Sequence, residues 1–207
     1  IELEYITKFY GDRKAERSGV PLINHIHEGL AVMREIGASD WAQRAYCLHP
    51  LFQADADLVK HAKQSLPGVP IQVMLLVMEY RNQANAWLSD KVFLESEEGH
   101  QRYGEICLIG KPSHGVLVAT AEMLVADKVQ NYYDFQNYHQ GTHKRSNELG
   151  VYFETWLKEL GIDVHDYLRL TKVIDADRKI RLMETIEFSY RDRERRVEKR
   201  WDRFNGF

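Results

Sequence analysis

The chain is poor in cysteine, in uninterrupted apolar sequence and in net charge. Its 207 residues hold two cysteines, Cys47 and Cys107, each inside an apolar run (AYCLH and EICLIG). A disulfide framework needs more cysteines in a shorter secreted chain, and a zinc cluster needs paired spacing. Both therefore read as buried thiols in a reducing compartment. No stretch approaches the ~20 apolar residues of a membrane-spanning helix, and the longest, Val73 to Met78, has the length of a core segment. The N-terminus lacks the basic-then-apolar order of a signal peptide, so a cytoplasmic protein with no membrane partner is expected. Formal net charge is −3 and the pI is near 6.3. Sequence-independent nucleic-acid binding rests on a basic domain or stripe, so nucleic acid is not an expected partner. Internal repeats and Ser/Pro-rich linkers are absent too. What remains, 44% hydrophobic and 29% charged, suits one globular domain with a real core and a helical appendage.

What is present is helical periodicity. Leu3, Ile6, Phe9 and Tyr10 form a short apolar stripe that Gly11-Asp12 ends, and a basic loop follows from Arg13 to Pro21. Leu22, Ile26, Leu30 and Met33 mark a helix stopping near Gly37, and Ser39 is a candidate N-cap for the next, through Trp41, Ala45 and Leu48. Pro50 is expected to interrupt that helix, because proline lacks the amide proton and crowds the preceding turn. Further helices are expected at 57–65, 71–88, 116–138, 146–160 and 164–170, with a charged amphipathic helix from Asp175 onward. The polar stretch from Ser89 to Gly115 reads as loop with one short strand at Ile106–Ile109, and Ser113 as the cap of the helix that follows.

Three segments stand out together: Arg17-Ser18-Gly19-Val20-Pro21-Leu22-Ile23-Asn24-His25, Ala45-Tyr46-Cys47-Leu48-His49-Pro50, and Val125-Ala126-Asp127-Lys128-Val129-Gln130-Asn131. In order, sequence and spacing they resemble the hydrolase domain of RelA/SpoT homologues and their small single-domain relatives. That family reads roughly R-x-x-G-x-P-Y-I-x-H, then L-L-H-D, then L-A-D-K/R-x-x-N. Arg145, followed by Leu149-Gly150-Val151-Tyr152-Phe153-Glu154, lies where relatives place an Arg and a Tyr-Phe-Glu helix. The resemblance spans about residues 13 to 160 and implies an all-α fold of the HD type. In the family, two histidines and two aspartates on different helices hold one divalent ion (Mn, Fe or Mg), which lowers the pKa of water and supplies a nucleophile for phosphate-ester hydrolysis. The resemblance assigns His25 and His49 to the imidazole ligands and Asp127 to the distal carboxylate. Asn131, one helical turn after Asp127, would face the same pocket, with Lys14 and Arg17 at a mouth where cations suit phosphates. A small phosphorylated nucleotide, such as guanosine tetraphosphate, is the implied ligand.

The chain departs from that pattern. Pro50 stands where an aspartate should follow His49, and Gln53 and Ala54 occupy the places of a Glu-Asp pair that positions the attacking water. Glutamine takes up no proton and alanine offers nothing polar, and loss of an acid/base pair typically removes ~10²–10⁴-fold of rate. Asp55, one residue out of register, is the candidate to restore a carboxylate, as a catalytic group or as a fourth ligand.

On the residues alone, plainer readings stand beside these. A histidine on an apolar helix is more often a hydrogen-bonded core residue than a ligand. Asp127 lies among Met123, Leu124, Val125 and Val129, so it needs a partner: a metal, the histidines, Lys128 or Arg145. Arg81 and Asn85 share a helix face, as phosphate contacts or as a solvated surface. Lys144 and Arg145, in the basic turn from Gly141, are candidates to meet an anion or to open a helix. Tyr132, Tyr133, Phe135 and Tyr138 read as packing. The C-terminal helix mixes charges in the manner of a solvated face, and Trp201, Phe204 and Phe207 add a surface for docking on the domain or on a second subunit.

The expectation is an HD-type helical domain over residues 1–170 with an amphipathic helical extension over 171–207. Its function would be phosphohydrolase-like, binding a nucleotide or nucleotide-like phosphate, with metal-dependent hydrolysis weakened or lost. The alternative is an inactive nucleotide-sequestering module or an oligomeric structural protein.

Overall fold

A computed structural model describes residues 1–16, 18–62, 66–89 and 115–204. These form eight helices and, among the described residues, no strand. Arg17, Cys107, Ser113 and the segment Ile106–Ile109 lie outside the described residues.

Helix α1 (Glu2–Tyr10) ends at Gly11, whose φ of 53° suits a residue without Cβ. The basic segment that follows closes on itself: Ala15 N–H donates to Val20 O (2.8 Å) and Leu22 N–H to Arg13 O (2.9 Å). It delivers the chain into α2 (Ile23–Glu35). Ser39 caps α3 (Asp40–Gln53) by accepting from the Ala42 amide, as its position suggested. Helices α4 (Asp55–Ala62), α5 (Ile71–Ser89), α6 (Gly115–Tyr138), α7 (Ser146–Glu159) and α8 (Val164–Phe204) complete the order.

Helix α3 lies at the centre, against α1, α2, α4, α5 and α6, while α2 is sandwiched between α6 and α8, and α7 packs on α6. The core gathers Ile26, Met33, Leu48, Phe52, Val77, Met123, Val129 and Ile174 from five of these helices. Cys47 is buried, and burial pushes its thiol up to about 12, so it behaves as a small apolar side chain. No described helix is long and apolar enough to cross a membrane.

Two helix boundaries differ from the sequence expectation. Pro50 does not interrupt α3, which runs on to Gln53. Leu51 and Phe52, each 2% exposed, contribute about 1.5–3 kcal/mol apiece by burial, enough to meet proline's cost of about 3 kcal/mol. The carbonyls of Phe52 and Gln53 are also held from α5 by Arg81, and that of Gln53 by Asn85 as well. The second difference is α8. Two helices were expected, at 164–170 and from 175, but one continuous helix of 41 residues spans both. No glycine or proline falls between Val164 and Phe204, and Leu170, just before the expected gap, and Ile174, within it, are both fully buried.

Candidate metal centre

Three helices each bring one side chain to a common point: α2 brings His25, α3 His49 and α6 Asp127. Their nearest ligand atoms all lie within 4.8 Å of one another. His25 Nε2 stands 3.2 Å from His49 Nε2, and Asp127 Oδ1 lies 3.5 Å from His25 Nε2 and 3.8 Å from His49 Nε2. The approach of α2 to α3 depends on Gly29, since a Cβ there would fall inside the ring of Tyr46. Tyr46 is fully buried, with its hydroxyl 3.3 Å from His25 O and 3.4 Å from His25 Nε2. Gly29→Ala is expected to push α2 from α3 and weaken every property of the site, read as a fall in melting temperature with loss of metal affinity.

The tautomers of both histidines follow from their other nitrogens. Gln130 directs its amide group at two carboxylates, Glu28 (3.0 Å) and Asp134 (2.8 Å). Carboxylates only accept, so the Gln130 Oε1 on the opposite side must accept from His25 Nδ1–H, at 2.6 Å. His49 Nδ1–H donates to the backbone carbonyl of Tyr46 at 2.7 Å. That carbonyl is the one a fiftieth residue with an amide proton would occupy, and Pro50 leaves it to the histidine. Each Nδ1 is thus turned away from the site, and the two Nε2 atoms face each other beside an ionised carboxylate. Burial, then the neighbouring His25, holds the His49 imidazole down at about 3, so at neutral pH His49 is uncharged, with its one ring proton on Nδ1 and a lone pair on Nε2.

These three side chains could hold a metal ion. Two ligands at ~2.1 Å from one ion, at the angles of tetrahedral or octahedral coordination, stand about 3.0–3.4 Å apart, close to the separations here. Tyr80 stands beside the site: its ring is 4.7 Å from that of His49, and burial, then the Asp127 charge, raises its hydroxyl.

The support behind His25 reaches into α8. Glu28 is 0% exposed yet ionised, because Arg178 grips both its oxygens (2.9 and 2.8 Å) and Arg181 adds a third contact (3.0 Å). Burial alone would raise its carboxyl, but hydrogen bonds from Arg178, Gln130 and Arg181 outweigh it and hold the group below its ordinary value. Arg178 also bonds Asp134 (2.6 Å), and Arg181 bonds Asn24 next to His25 (2.6 Å). Glu28→Ala leaves two arginines facing a buried gap, which typically costs about 3–5 kcal/mol, or roughly 6–20 °C of melting temperature for a chain of this size. Since the folded carboxyl lies below its unfolded value, its contribution is complete above about pH 4.5 and lost as pH falls through the lower folded value. The difference in melting temperature between parent and Glu28→Ala should therefore be full at pH 7 and shrink under acid. Gln130→Met, which removes the acceptor for His25 Nδ1–H together with the donors to Glu28 and Asp134, is expected to weaken metal affinity about 10–100-fold, measured by calorimetric titration with Mn²⁺.

On the other side, Asp127 divides its oxygens. Oδ2 pairs with Lys128 at 2.8 Å, while Oδ1 accepts from Asn131 (2.8 Å) and faces the histidines. Both members of the pair are buried. Burial would raise Asp127, but Lys128, His25 and His49 together hold it well below the usual carboxylate range. Compared with models of protein families, with curated proteins and with solved structures, the chain matches none. Its site therefore has to be read from its own geometry.

The three side chains lie on the wall of a cavity of about 510 Å³. Asn131, Lys128 and Gln130 also line it, as do Pro50 and Gln53. The closed loop before α2 contributes Ser18 and Val20, and α6 and α7 contribute Phe135, Tyr152 and Phe153. Of the residues singled out from the sequence, His25, His49, Asp127 and Asn131 come together here. Arg81 and Asn85 do not join them, because their donors are spent on the carbonyls that end α3. Asp55 does not either. Its carboxylate is 89% exposed and pairs with Arg81, and the anchoring of α3 by α5 opposes the shift that would bring it inward. Lys14 and Lys144 are exposed and off the wall, and Arg145 pairs with Glu148 at 2.7 Å. Arg17 is outside the described residues.

Reasoning from sequence missed Gln130, Glu28, Tyr46 and the two arginines of α8. Glu28 lies three residues after His25 and Gln130 three after Asp127, so helical spacing could have found both. Nothing in the local sequence joins Arg178 or Arg181 to residues some 150 positions earlier.

Proposed function

We propose that this chain is a phosphohydrolase-like protein of the HD type that holds a divalent metal ion on His25, His49 and Asp127. It binds a nucleotide or nucleotide-like phosphate in the adjoining cavity, and its hydrolytic power is weakened or lost. One observation carries the reading: the Nε2 atoms of two imidazoles, turned inward by the bonds of their Nδ1 atoms to Gln130 and the Tyr46 carbonyl, face each other 3.2 Å apart next to a buried carboxylate. A divalent ion between them would take both nitrogens and the carboxylate oxygen as ligands. The cavity volume is within the ~300–1,000 Å³ of small-molecule sites. Phe135, Tyr152 and Phe153, among its lining residues, offer aromatic surface for a planar base.

What the chain's own residues supply is binding and orientation. Pro50 offers no fourth carboxylate, Gln53 on the wall takes up no proton, and Asp55 is held away by Arg81. Metal content of the purified protein, followed by titration of metal-stripped chain with Mn²⁺, Fe²⁺ and Mg²⁺, tests the first half of the proposal. Thermal shift with guanosine and adenosine polyphosphates, in the presence of the bound metal, tests the second. A stripped chain that takes up no metal and gains no melting temperature from any of them would overturn it.

A second reading is favoured by Lys128. Its buried ammonium, 2.8 Å from Asp127 and over the Trp156 ring at 5.1 Å, already compensates the carboxylate. On this reading the chain is a nucleotide-binding or sequestering module that needs no metal. Nucleotide-dependent thermal shifts unchanged by a chelator would favour it.

A further inference from the structure

Asp134 is a second carboxylate on the cavity wall. It follows Asp127 by seven residues on α6, so it lies on the same helix face, two turns or about 10 Å further along the axis. Asn131 falls between them on that face and also lines the cavity. The Asp134 side chain keeps 26% of its surface exposed.

Its orientation is fixed from behind. Arg178, which is not on the wall, donates to Oδ1 at 2.6 Å, and Gln130 donates to Oδ2 at 2.8 Å. An ionised carboxylate has about four acceptor sites, so acceptor capacity remains on each oxygen. Burial, then the Glu28 charge, raises the Asp134 carboxyl against the pull of Arg178. Further hydrogen-bond donors are therefore favourable beside it, and a further anion is not.

The neighbours leave that preference intact. Gln130 has no amide hydrogen left for a ligand, since both go to Glu28 and Asp134. Among the described lining residues the one lysine or arginine is Lys128, which pairs with Asp127 at the metal end. Two imidazoles, His139 and His143, line the wall beyond the end of α6. Phe135, next to Asp134 in sequence, and Phe153 of α7 stand with ring centroids 5.7 Å apart on the same wall. One carboxylate with an acceptor site on each oxygen suits a pair of adjacent donors, and the vicinal hydroxyls of a ribose are such a pair. Carboxylates meet ribose hydroxyls in dinucleotide-binding folds for this reason.

We propose, resting on the reading of the cavity as a nucleotide site, that Asp134 holds the 2′- and 3′-hydroxyls of the ribose. The base then lies against Phe135 and Phe153, with the 5′-phosphate at the metal end. Such a cavity takes nucleotides phosphorylated on the 5′ side alone and turns away those with a phosphate on the 3′ oxygen.

Calorimetric titration of the full chain in Mn²⁺ tests it. The probes are adenosine and guanosine 5′-diphosphates, their 2′-deoxy analogues, and the 3′,5′-bisphosphates, which carry two phosphates as the 5′-diphosphates do. Each 5′-diphosphate should bind at least about tenfold tighter than its 2′-deoxy analogue. It should also bind at least about tenfold tighter than the matching 3′,5′-bisphosphate, whose 3′-phosphate meets a like charge. In Asp134→Asn, which removes the charge and keeps the shape, both ratios should fall toward one. If that variant does not fold, the ratios in the parent chain decide alone. Equal affinities across the series overturn the proposal and leave the nucleotide reading standing. So does a 3′-phosphate that tightens binding, as it would by meeting His139 and His143. A chain that binds none of these nucleotides overturns both.

Discussion

Pro50→Asp together with Gln53→Glu and Ala54→Asp is expected to raise metal-dependent hydrolysis of a nucleotide pyrophosphate or phosphate ester by about 10²–10⁴-fold over the parent chain. Position 50 already lines the cavity beside His49, so a carboxylate there would approach the histidines from the helix that carries one of them. The change returns an amide to α3. The Tyr46 carbonyl has two lone pairs, so it can accept this amide and keep His49 Nδ1–H. Position 53 is also on the wall, and a glutamate there, unlike glutamine, can take a proton from water. The readout is phosphate release in Mn²⁺ with and without chelator. A triple variant that binds metal and nucleotide as the parent does, yet hydrolyses no faster, would mean that the departures at these positions are not what limits the chemistry. A parent that already turns over rapidly would contradict weakened hydrolysis directly.

The second large effect concerns Asp127, which serves the site and the core at once. Asp127→Asn is expected to weaken metal binding beyond detection and also to lower stability by about 3–5 kcal/mol, because it leaves the buried Lys128 ammonium without its counter-charge. Pairing attracts the proton to Lys128 against the effect of burial, and the asparagine variant loses that balance. Adding Lys128→Met should return most of the melting temperature while metal affinity stays lost, since a neutral, flexible side chain fills the same space. Calorimetric denaturation and Mn²⁺ titration of the single and double variants read the two roles separately. Metal affinity that survives in Asp127→Asn would remove the carboxylate from the donor set. Stability that survives would mean that Lys128 finds other partners, among which Tyr152 at 3.3 Å is nearest at hand.

Much of the helical architecture was legible because its signals are local. Apolar spacing marked α2, α5 and α6 to within a residue or two, and Ser39 announced α3 by the oxygen it offers to the Ala42 amide. Pro50 misled for the opposite reason. The local rule counts the lost amide, whereas the burial of Leu51 and Phe52 and the grip of Arg81 on the end of α3 are supplied by distant parts of the chain. Arg81 and Asn85 drew attention as unusual polar residues on an apolar helix, and they are indeed engaged, but with main-chain carbonyls rather than with a cavity.

The sequence by itself determined a mainly helical chain, since helical period is written in consecutive residues, and the resemblance of its motifs singled out His25, His49 and Asp127. Only the tertiary structure decided that these three meet, that Asp55 does not join them, and that both imidazoles turn their Nε2 atoms inward. Those facts depend on Gly29 admitting Tyr46, and on Glu28 carrying the grip of Arg178 and Arg181 through Gln130 to His25. A hydrogen bond is set by position and direction in space, and residues far apart in the chain acquire both only once the helices have packed.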